Sequence, residues 1–539
     1  MSLHDGVPAA ALTPLGDATI SLDSFLRFTP ALLVGVGVLL AFRYVRSPYR
    51  SVPPGPRGLP IIGNVLQLSD KSWMFKQDSK QRFRDMIYLS AFGQPILILQ
   101  SLKAASEILE KRANVTSDRP RFIVAHEIIS GSLFGPAMVY GDLWRRTRRA
   151  AHEGLTKVAV RDYHPILRKE ATILSSALLD DQGDLEKHFQ RFAASSIMSI
   201  LYDYPTLENN NDETLKRIHM YISRVSKAAA PGAYLVELLP WMMYIPERFA
   251  KWKREGMEHF REHTTMFTGL LNAVRGDVVS GTSIRRPSMS ATLIKNHDRN
   301  GLSNHEMAWL LGTLYAAGAE TTSTALGWFA LAMVANPEIQ KRAHAELDTI
   351  VGRARPPTHS DLSDLHYIQA IVKETLRWRP SLALGVPHNT TEDIWYDGMF
   401  IPKGTTCISN LWQCHNDPAI YGDDAAKFNP ERFLDANGRL SSGRSETRDD
   451  GHSAYGFGRR ACVGKHVAND SLFISIATVL WAANLERVRD QNGKEVTPDT
   501  ETYVDTGMVF PPLKYWYDVT PRFPEARSIL AEESELLKA

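Results

Sequence analysis

The sequence predicts a mainly α protein with a small β portion, built as one large domain behind an N-terminal transmembrane helix. Three observations carry that expectation. Helical patterning dominates beyond residue 61, with no repeat, low-complexity tract or second linker to divide it. Short strand-like runs follow residue 390 around an Asp-Gly turn. An uncharged apolar run over residues 28–42 precedes a proline-rich stretch. At 539 residues, 44% hydrophobic and 23% charged, the composition is that of a globular chain with room for a large core. A formal net charge of +2 is too balanced for a protein whose main partner is nucleic acid. The cysteines, Cys407, Cys414 and Cys462, are too few and odd in number for a disulfide framework and point to a reducing compartment.

Taken in order, residues 1–23 are expected to lie on the lumenal side and residues 24–45 to span the membrane. The apolar run itself is shorter than the ~20 residues a spanning helix needs, and its flanks supply the rest, with Arg27 and Arg43 reaching the headgroups. A cleaved signal peptide does not fit, because residues 1–26 hold Asp5, Asp17 and Asp23 and no Lys or Arg. Arg43, Arg46, Arg50 and Arg57 follow with no acid before Asp70, which places the rest of the chain in the cytosol. Residues 46–60, ending in Pro53-Pro54-Gly55-Pro56-Arg57-Gly58-Leu59-Pro60, form a stiff hinge, and residues 61–539 a single body. Within it a long helix is expected over residues 304–335, started by a Ser303/Glu306 capping box and stopped by Asn336-Pro337. Pro337, capped by Asn336, opens a further helix that ends near Gly352, and another spans residues 365–377. Asp397-Gly398 marks a hairpin between Ile394-Trp395-Tyr396 and Met399-Phe400-Ile401.

Four segments carry the chemistry. Tyr455-Gly456-Phe457-Gly458-Arg459-Arg460-Ala461-Cys462-Val463-Gly464 surrounds a thiol with glycines that allow close backbone approach and arginines that favour the thiolate, a setting for a metal ligand. A nucleophilic thiol served by His452 or His466 is the rival, and zinc is disfavoured for want of a second ligand at the right spacing. Cys407 and Cys414 read as buried structural cysteines. Ala317-Gly318-Ala319-Glu320-Thr321-Thr322-Ser323-Thr324 puts four hydroxyl residues inside the long helix, either as back-bonded core threonines or as a functional break in local preference. Glu374 and Arg377 stand three apart, and helical periodicity places Glu374 opposite the stripe of Leu365, Ile368, Val372, Thr375 and Leu376, on the solvent side. Trp144-Arg145-Arg146-Thr147-Arg148-Arg149 suggests an anion site.

These segments, in this order, resemble the cytochrome P450 monooxygenases. The cysteine segment is similar to the family's haem-ligand loop, with Tyr455 where Phe is usual, a hydroxyl that would stand beside the thiolate. The resemblance implies the P450 fold over residues 61–539 as the catalytic domain, with haem b ligated by Cys462. It makes Glu320 and Thr321 the groups that relay protons to bound dioxygen, with the helix groove at Gly318. Trp144, Arg148, His388 and Arg460 become haem-propionate contacts. Against the helical stripe, it implies a buried Glu374-Arg377-Arg432 cluster, Arg432 lying in Phe428-Asn429-Pro430-Glu431-Arg432-Phe433. Arg145 and Arg149 are left to a reductase docking face or a solvated surface. Substrate contacts are expected from residues 122–140, the helix near Leu314, residues 381–386, and Met508-Val509-Phe510.

The implied activity is that of a microsomal monooxygenase in the endoplasmic reticulum membrane. It uses dioxygen and electrons from NADPH through cytochrome P450 reductase, with cytochrome b5 as an optional second donor. The substrate is an apolar small molecule, a terpenoid or polyketide by likeness to the oxygenases of fungal secondary metabolism. A haem-thiolate isomerase or dehydratase would not need Glu320 and Thr321, and a non-catalytic haem protein would need neither a large pocket nor the hydroxyl-rich helix. No role follows for the charged tail of residues 521–539.

Overall fold

The computed structural model describes residues 34–35, 38–39, 42–43, 45–69, 85–180, 183–207, 212–230, 232–281, 288–441, 447 and 450–537. The expected span of residues 24–45 and the lumenal segment therefore fall largely outside the described residues, and among those described no helix is long and apolar enough to cross a membrane. Residues 53–394 and 401–539 make one compact unit, and residues up to 52 group with 395–400 in another. Every candidate site residue belongs to the first.

That unit is mainly helical. Its longer helices are α1 (Asp142–Leu155), α2 (His164–Asp180), α3 (Leu185–Tyr202), α4 (Glu213–Ala229), α5 (Lys251–Ser280), α6 (Asn304–Ala335), α7 (Pro337–Ile350), α8 (His366–Trp378), α9 (Lys465–Ala482) and α10 (Ala526–Leu536). The central one, α6, begins and ends where the capping box and Asn336-Pro337 place it: Glu306 N–H donates to Ser303 Oγ at 3.2 Å, and Ser303 N–H to Glu306 Oε2 at 2.7 Å. Trp309, Leu311, Trp328, Phe329 and Leu331 on its different sides are all buried, as a helix surrounded by protein requires. It packs along α3 and α9, and α9 packs in turn on α2. Asn336 does not cap α7; its Nδ2 donates back to Ala332 O at 2.8 Å, because the side chain finds the end of α6 before the start of α7. The tail is part of the fold, since α10 packs on α2 and buries Ala526 and Leu530.

A mixed sheet lies to one side. Strand β1 (Met86–Ala91) pairs antiparallel with β2 (Gln94–Leu99) in register Met86↔Leu99. Two further strands complete it: β3 (His388–Asn389) and β6 (Thr406–Ser409), in the order β1-β2-β6-β3. β6 runs parallel to β2 (Leu99↔Ser409) and antiparallel to β3 (His388↔Cys407), which fixes His388. The hairpin of β4 (Ile394–Tyr396) and β5 (Met399–Ile401) turns on Asp397 and Gly398, both at positive φ (51° and 71°), as an Asp-Gly turn favours. Strands β7 (Ala483–Glu486) and β8 (Asp518–Pro521) close a second small sheet.

One buried ion cluster ties α8 to the chain that leads into the cysteine loop. Glu374 is 0% exposed, not solvated as helical periodicity places it, because a second segment covers that face of α8. Arg377 binds its carboxylate through both Nε and Nη2 (2.6 and 2.7 Å), and Arg432 Nε and Asn429 N–H also donate to it at 3.0 and 2.7 Å. Of the remaining arginine donors, Arg377 Nη1 takes the carbonyls of His415 and Ala425, each at 2.7 Å, and Arg432 Nη1 takes that of Tyr421 and the Asp424 carboxylate (3.2 Å). Removing one member of such a cluster strands the others without water. Glu374→Gln is therefore expected to lower folding stability by about 3–5 kcal/mol, read by denaturant titration, whereas exchange of the exposed Arg145 for Gln changes it by less than about 0.5 kcal/mol.

Candidate functional site

A cavity of about 320 Å³ lies beneath the middle of α6. Cys462, Glu320, Thr321, Trp144, Arg148, His388 and Arg460, widely separated in sequence, all line it. The cysteine arrives on the loop between a turn at Gly458–Arg460 and the start of α9. Gly458 (φ 57°) brings that loop against the chain at Leu109, whose carbonyl oxygen would stand 2.4 Å from an added Cβ, and its N–H donates to Glu110 Oε2 at 2.7 Å. Cys462 N–H donates to Tyr455 O at 2.8 Å and closes the loop.

The Cys462 thiol opens onto the cavity and is otherwise surrounded by protein. That desolvation pushes it up, against the pull of the Gly464 N–H and the positive charges of Arg148 and Lys465. No histidine takes part. His452 is buried and accepts from Ala454 N–H at 3.2 Å, and neither it nor His466 hydrogen-bonds to the sulfur, so the nucleophilic-thiol rival lacks its base. The Tyr455 hydroxyl does not reach the thiol either, because it donates to Asn469 Oδ1 at 2.6 Å. Cys407 and Cys414 are fully buried.

At the cavity's edge three cations gather, with the Asp118 carboxylate acting on Arg119 and Arg460 from nearby. Arg460 Nε and Nη2 donate to Ser117 O and Met138 O, each at 2.7 Å, its guanidinium lies 4.4 Å from the Trp144 ring, and its buried Nη1 has no partner. Arg148 Nη2 donates to Ala461 O. Arg119, which the sequence reading did not single out, donates from Nη1 to Val386 O and Pro387 O (2.8 and 2.6 Å) and keeps an unpartnered buried Nε. None of the three forms an ion pair among the described residues. Burial lowers all of them, Arg460 to about 10; Arg460 repels Arg119 and Arg148 repels Arg460, while Asp118 pulls Arg119 and Arg460 partly back up and Cys462 does so for Arg148. His388 is 5% exposed, shares Nδ1 with Thr116 O at 2.8 Å, and is pushed down to about 3 by burial and by Arg119. Three cations exceed what the Asp118 carboxylate offsets, and a bound anion would balance the rest. Acidic groups at one edge, an apolar body and a metal for the thiol are the features of haem, and this donor set fits them.

Across the cavity, α6 presents Ala317, Glu320 and Thr321. Thr321 Oγ1 donates to Ala317 O at 2.8 Å, the back-bonding expected of a helical threonine, yet both residues face the cavity. Gly318 does not: an added Cβ there would meet Ile197 of α3 at 3.0 Å, so this glycine serves helix packing, and the small residue that lines the cavity is Ala317. The Glu320 carboxyl has no hydrogen bond among the described residues, and desolvation raises it to about 7. Of the expected substrate segments, Phe134, Leu314, Ser381, Val386, Met508 and Val509 reach the cavity. Arg145 and Arg149 are exposed, and Arg146 is bound to Asp142 and to Gly301 O.

The sequence profile named Cytochrome P450 matches residues 53–517. The chain belongs to the cytochrome P450 family. A cytochrome P450 monooxygenase of Armillaria gallica is 48% identical over 92% of this chain and 94% of its own. One from Postia placenta is 42% identical over 97% and 99%, and one from Amanita muscaria 37% over 96% and 100%. This P450 is accordingly a monooxygenase, with the mainly helical fold and small sheet portion of that family.

Glu320 makes folding of this P450 pH-dependent. Its carboxyl is neutral in both states below about pH 4.5, and as pH rises to about 7 the unfolded chain loses that proton first, so the folded state is progressively disfavoured. Glu320→Gln should abolish this loss and so gain up to about 3 kcal/mol over the wild type between pH 4.5 and 8. Denaturant titrations at the two pH values measure the difference.

Proposed function

We propose that this P450 holds haem b through the Cys462 thiolate and oxidises an apolar small molecule, a terpenoid or polyketide of secondary metabolism. The observation that carries the reading is the meeting, in one cavity, of a thiol and three buried or half-buried arginines that form no ion pair among the described residues. When bound, the haem supplies activation of dioxygen by electrons received one at a time from NADPH through cytochrome P450 reductase, with cytochrome b5 as an optional donor. Arg119, Arg148 and Arg460 hold its carboxylates, Trp144 stacks beneath the Arg460 guanidinium, and His388 borders the same edge. Arg148, close enough to act on the sulfur, stabilises the deprotonated Cys462.

Protons reach the cavity by way of α6. A carboxyl near 7 both gives and takes a proton at neutral pH, which suits Glu320 to the task. The Thr321 hydroxyl, its proton directed at Ala317 O, presents its oxygen lone pairs toward the cavity, where they accept a proton or hold a water. Apolar side chains such as Leu310, Leu314 and Val509 exclude other water and bind the substrate. An isomerase or dehydratase has no use for this relay, and a passive haem protein none for the pocket beside it.

The reduced, carbon monoxide-bound spectrum tests thiolate ligation, and Cys462→Ala is expected to abolish that spectrum together with all turnover. Thr321→Ala should retain haem and the thiolate spectrum but lose about 10²-fold or more in product formed per dioxygen consumed; full coupling in that variant removes Thr321 from the relay. We further assign residues 24–45 as a single membrane anchor in the endoplasmic reticulum, residues 46–60 as its hinge and the remainder as a cytosolic catalytic domain, on the strength of the apolar run and the arginines after it. Deleting residues 1–45 is then expected to release most of the protein from the membrane pellet into the supernatant.

A further inference from the structure

Away from the cavity, three groups that the proposed reaction does not use meet where α2, α9 and the turn before α8 come together. His164 opens α2, His359 stands in the turn His359–Asp361, and Asp470 lies on α9, eight residues after Cys462. The two imidazoles stack face to face, with centroids 3.8 Å apart and planes 6° from parallel. Both direct Nε2 at the same residue: that of His164 lies 2.8 Å from Asp470 Oδ2 and that of His359 3.2 Å from Asp470 O. One ligand atom from each of the three falls within 4.8 Å of the others, and among the described residues no other set of three histidines, cysteines or acids does so.

Tetrahedral zinc holds nitrogen and oxygen ligands at about 2.0–2.2 Å, which puts neighbouring ligand atoms about 3.4 Å apart, so the cluster reaches that geometry by closing at most about 1.4 Å. Side-chain exposures of 28% for His164 and 26% for Asp470 leave one side open, from which an ion enters and water completes its shell. Burial and the facing ring push His359 down to about 4, so at neutral pH that ring is uncharged and able to ligate. Arg168, a cation that acts on His359, is itself paired with Glu533 of α10. Two imidazole nitrogens and one carboxylate suit zinc and its neighbours, whereas calcium and magnesium take oxygen ligands.

We propose that His164, His359 and Asp470 bind one divalent transition-metal ion of the zinc class, which clips α2 and the turn before α8 to α9, the helix that follows the cysteine loop. The ion takes the place of the protons that the two Nε2 atoms direct at Asp470, and each ring is then neutral with its proton on Nδ1. Cys462 has no part in this site, which stands apart from the haem-thiolate reading.

The test uses the purified full chain in its haem-loaded form, with any affinity tag removed and adventitious metal stripped by EDTA, in equilibrium dialysis against zinc chloride at about pH 7.5. One zinc per chain is expected, with a Kd of about 10 µM or lower and a rise in melting temperature of about 2 °C or more at a hundredfold excess over Kd. Millimolar magnesium or calcium should not displace it. His164→Gln, His359→Gln and Asp470→Asn are each expected to keep the thiolate spectrum and to weaken zinc binding about tenfold or more. Zinc-edge X-ray absorption of the loaded wild type gives a reading that does not depend on the variants folding: two imidazole nitrogens, oxygen, and no sulfur. No retained zinc, displacement by magnesium or calcium, no rise in melting temperature, unchanged affinity in any of the three variants, or a sulfur ligand at about 2.3 Å overturns the proposal and leaves a hydrogen-bonded histidine pair.

Discussion

The carboxylate of Glu374 is the constraint on which the rest depends. Fully buried, it accepts from Arg377 twice, from Arg432 and from the Asn429 N–H. In satisfying it, the two arginines gather the carbonyls of His415, Tyr421, Ala425 and Lys427. The irregular chain after β6, which has little regular structure of its own, is thereby fastened to α8. The His415 ring extends the attachment, since Nδ1 donates to Arg377 O at 2.9 Å and Nε2 accepts from Ser453 N–H at 3.0 Å, two residues before Tyr455. Burial holds that ring neutral, as this one-donor, one-acceptor role requires. The cysteine loop is thus positioned by a polar network rather than by packing alone.

The cavity shows the opposite electrostatic arrangement. The Glu374 cluster, with Asp424 on Arg432, balances its charges; at the cavity edge Arg460 meets repulsion with Arg119 and Arg148, and all three hydrogen-bond to backbone carbonyls. A fold tolerates such an arrangement when it is completed by a ligand, and the stability it withholds from the empty protein returns as binding energy.

Several features were legible in the sequence because they are local. The capping box at Ser303, the stop at Asn336-Pro337 and the Asp397-Gly398 turn depend on backbone bonds only a few residues apart, and each stands where it was read. Motif likeness found the seven cavity residues because they lie in segments with fixed spacing. Where local rules met tertiary contacts they failed. Periodicity put Glu374 in water, but the chain at Asn429 and Arg432 covers that face of α8. Gly318 read as the helix groove and proved to be the contact with Ile197. Arg119 sits in no recognisable motif, and its meeting with the carbonyls of Val386 and Pro387 has no trace in the order of residues.

The sequence by itself determined which residue types stand at the candidate site, a thiol among glycines and arginines and an acid beside a threonine on a long helix, because residue type and short spacing are local properties. Tertiary structure alone decided which charges are paired and which are left open. Pairing depends on what is brought within about 3 Å and stripped of water, and that is set by segments hundreds of residues apart: Glu374 finds Arg432, while Arg119 and Arg460 find only carbonyls.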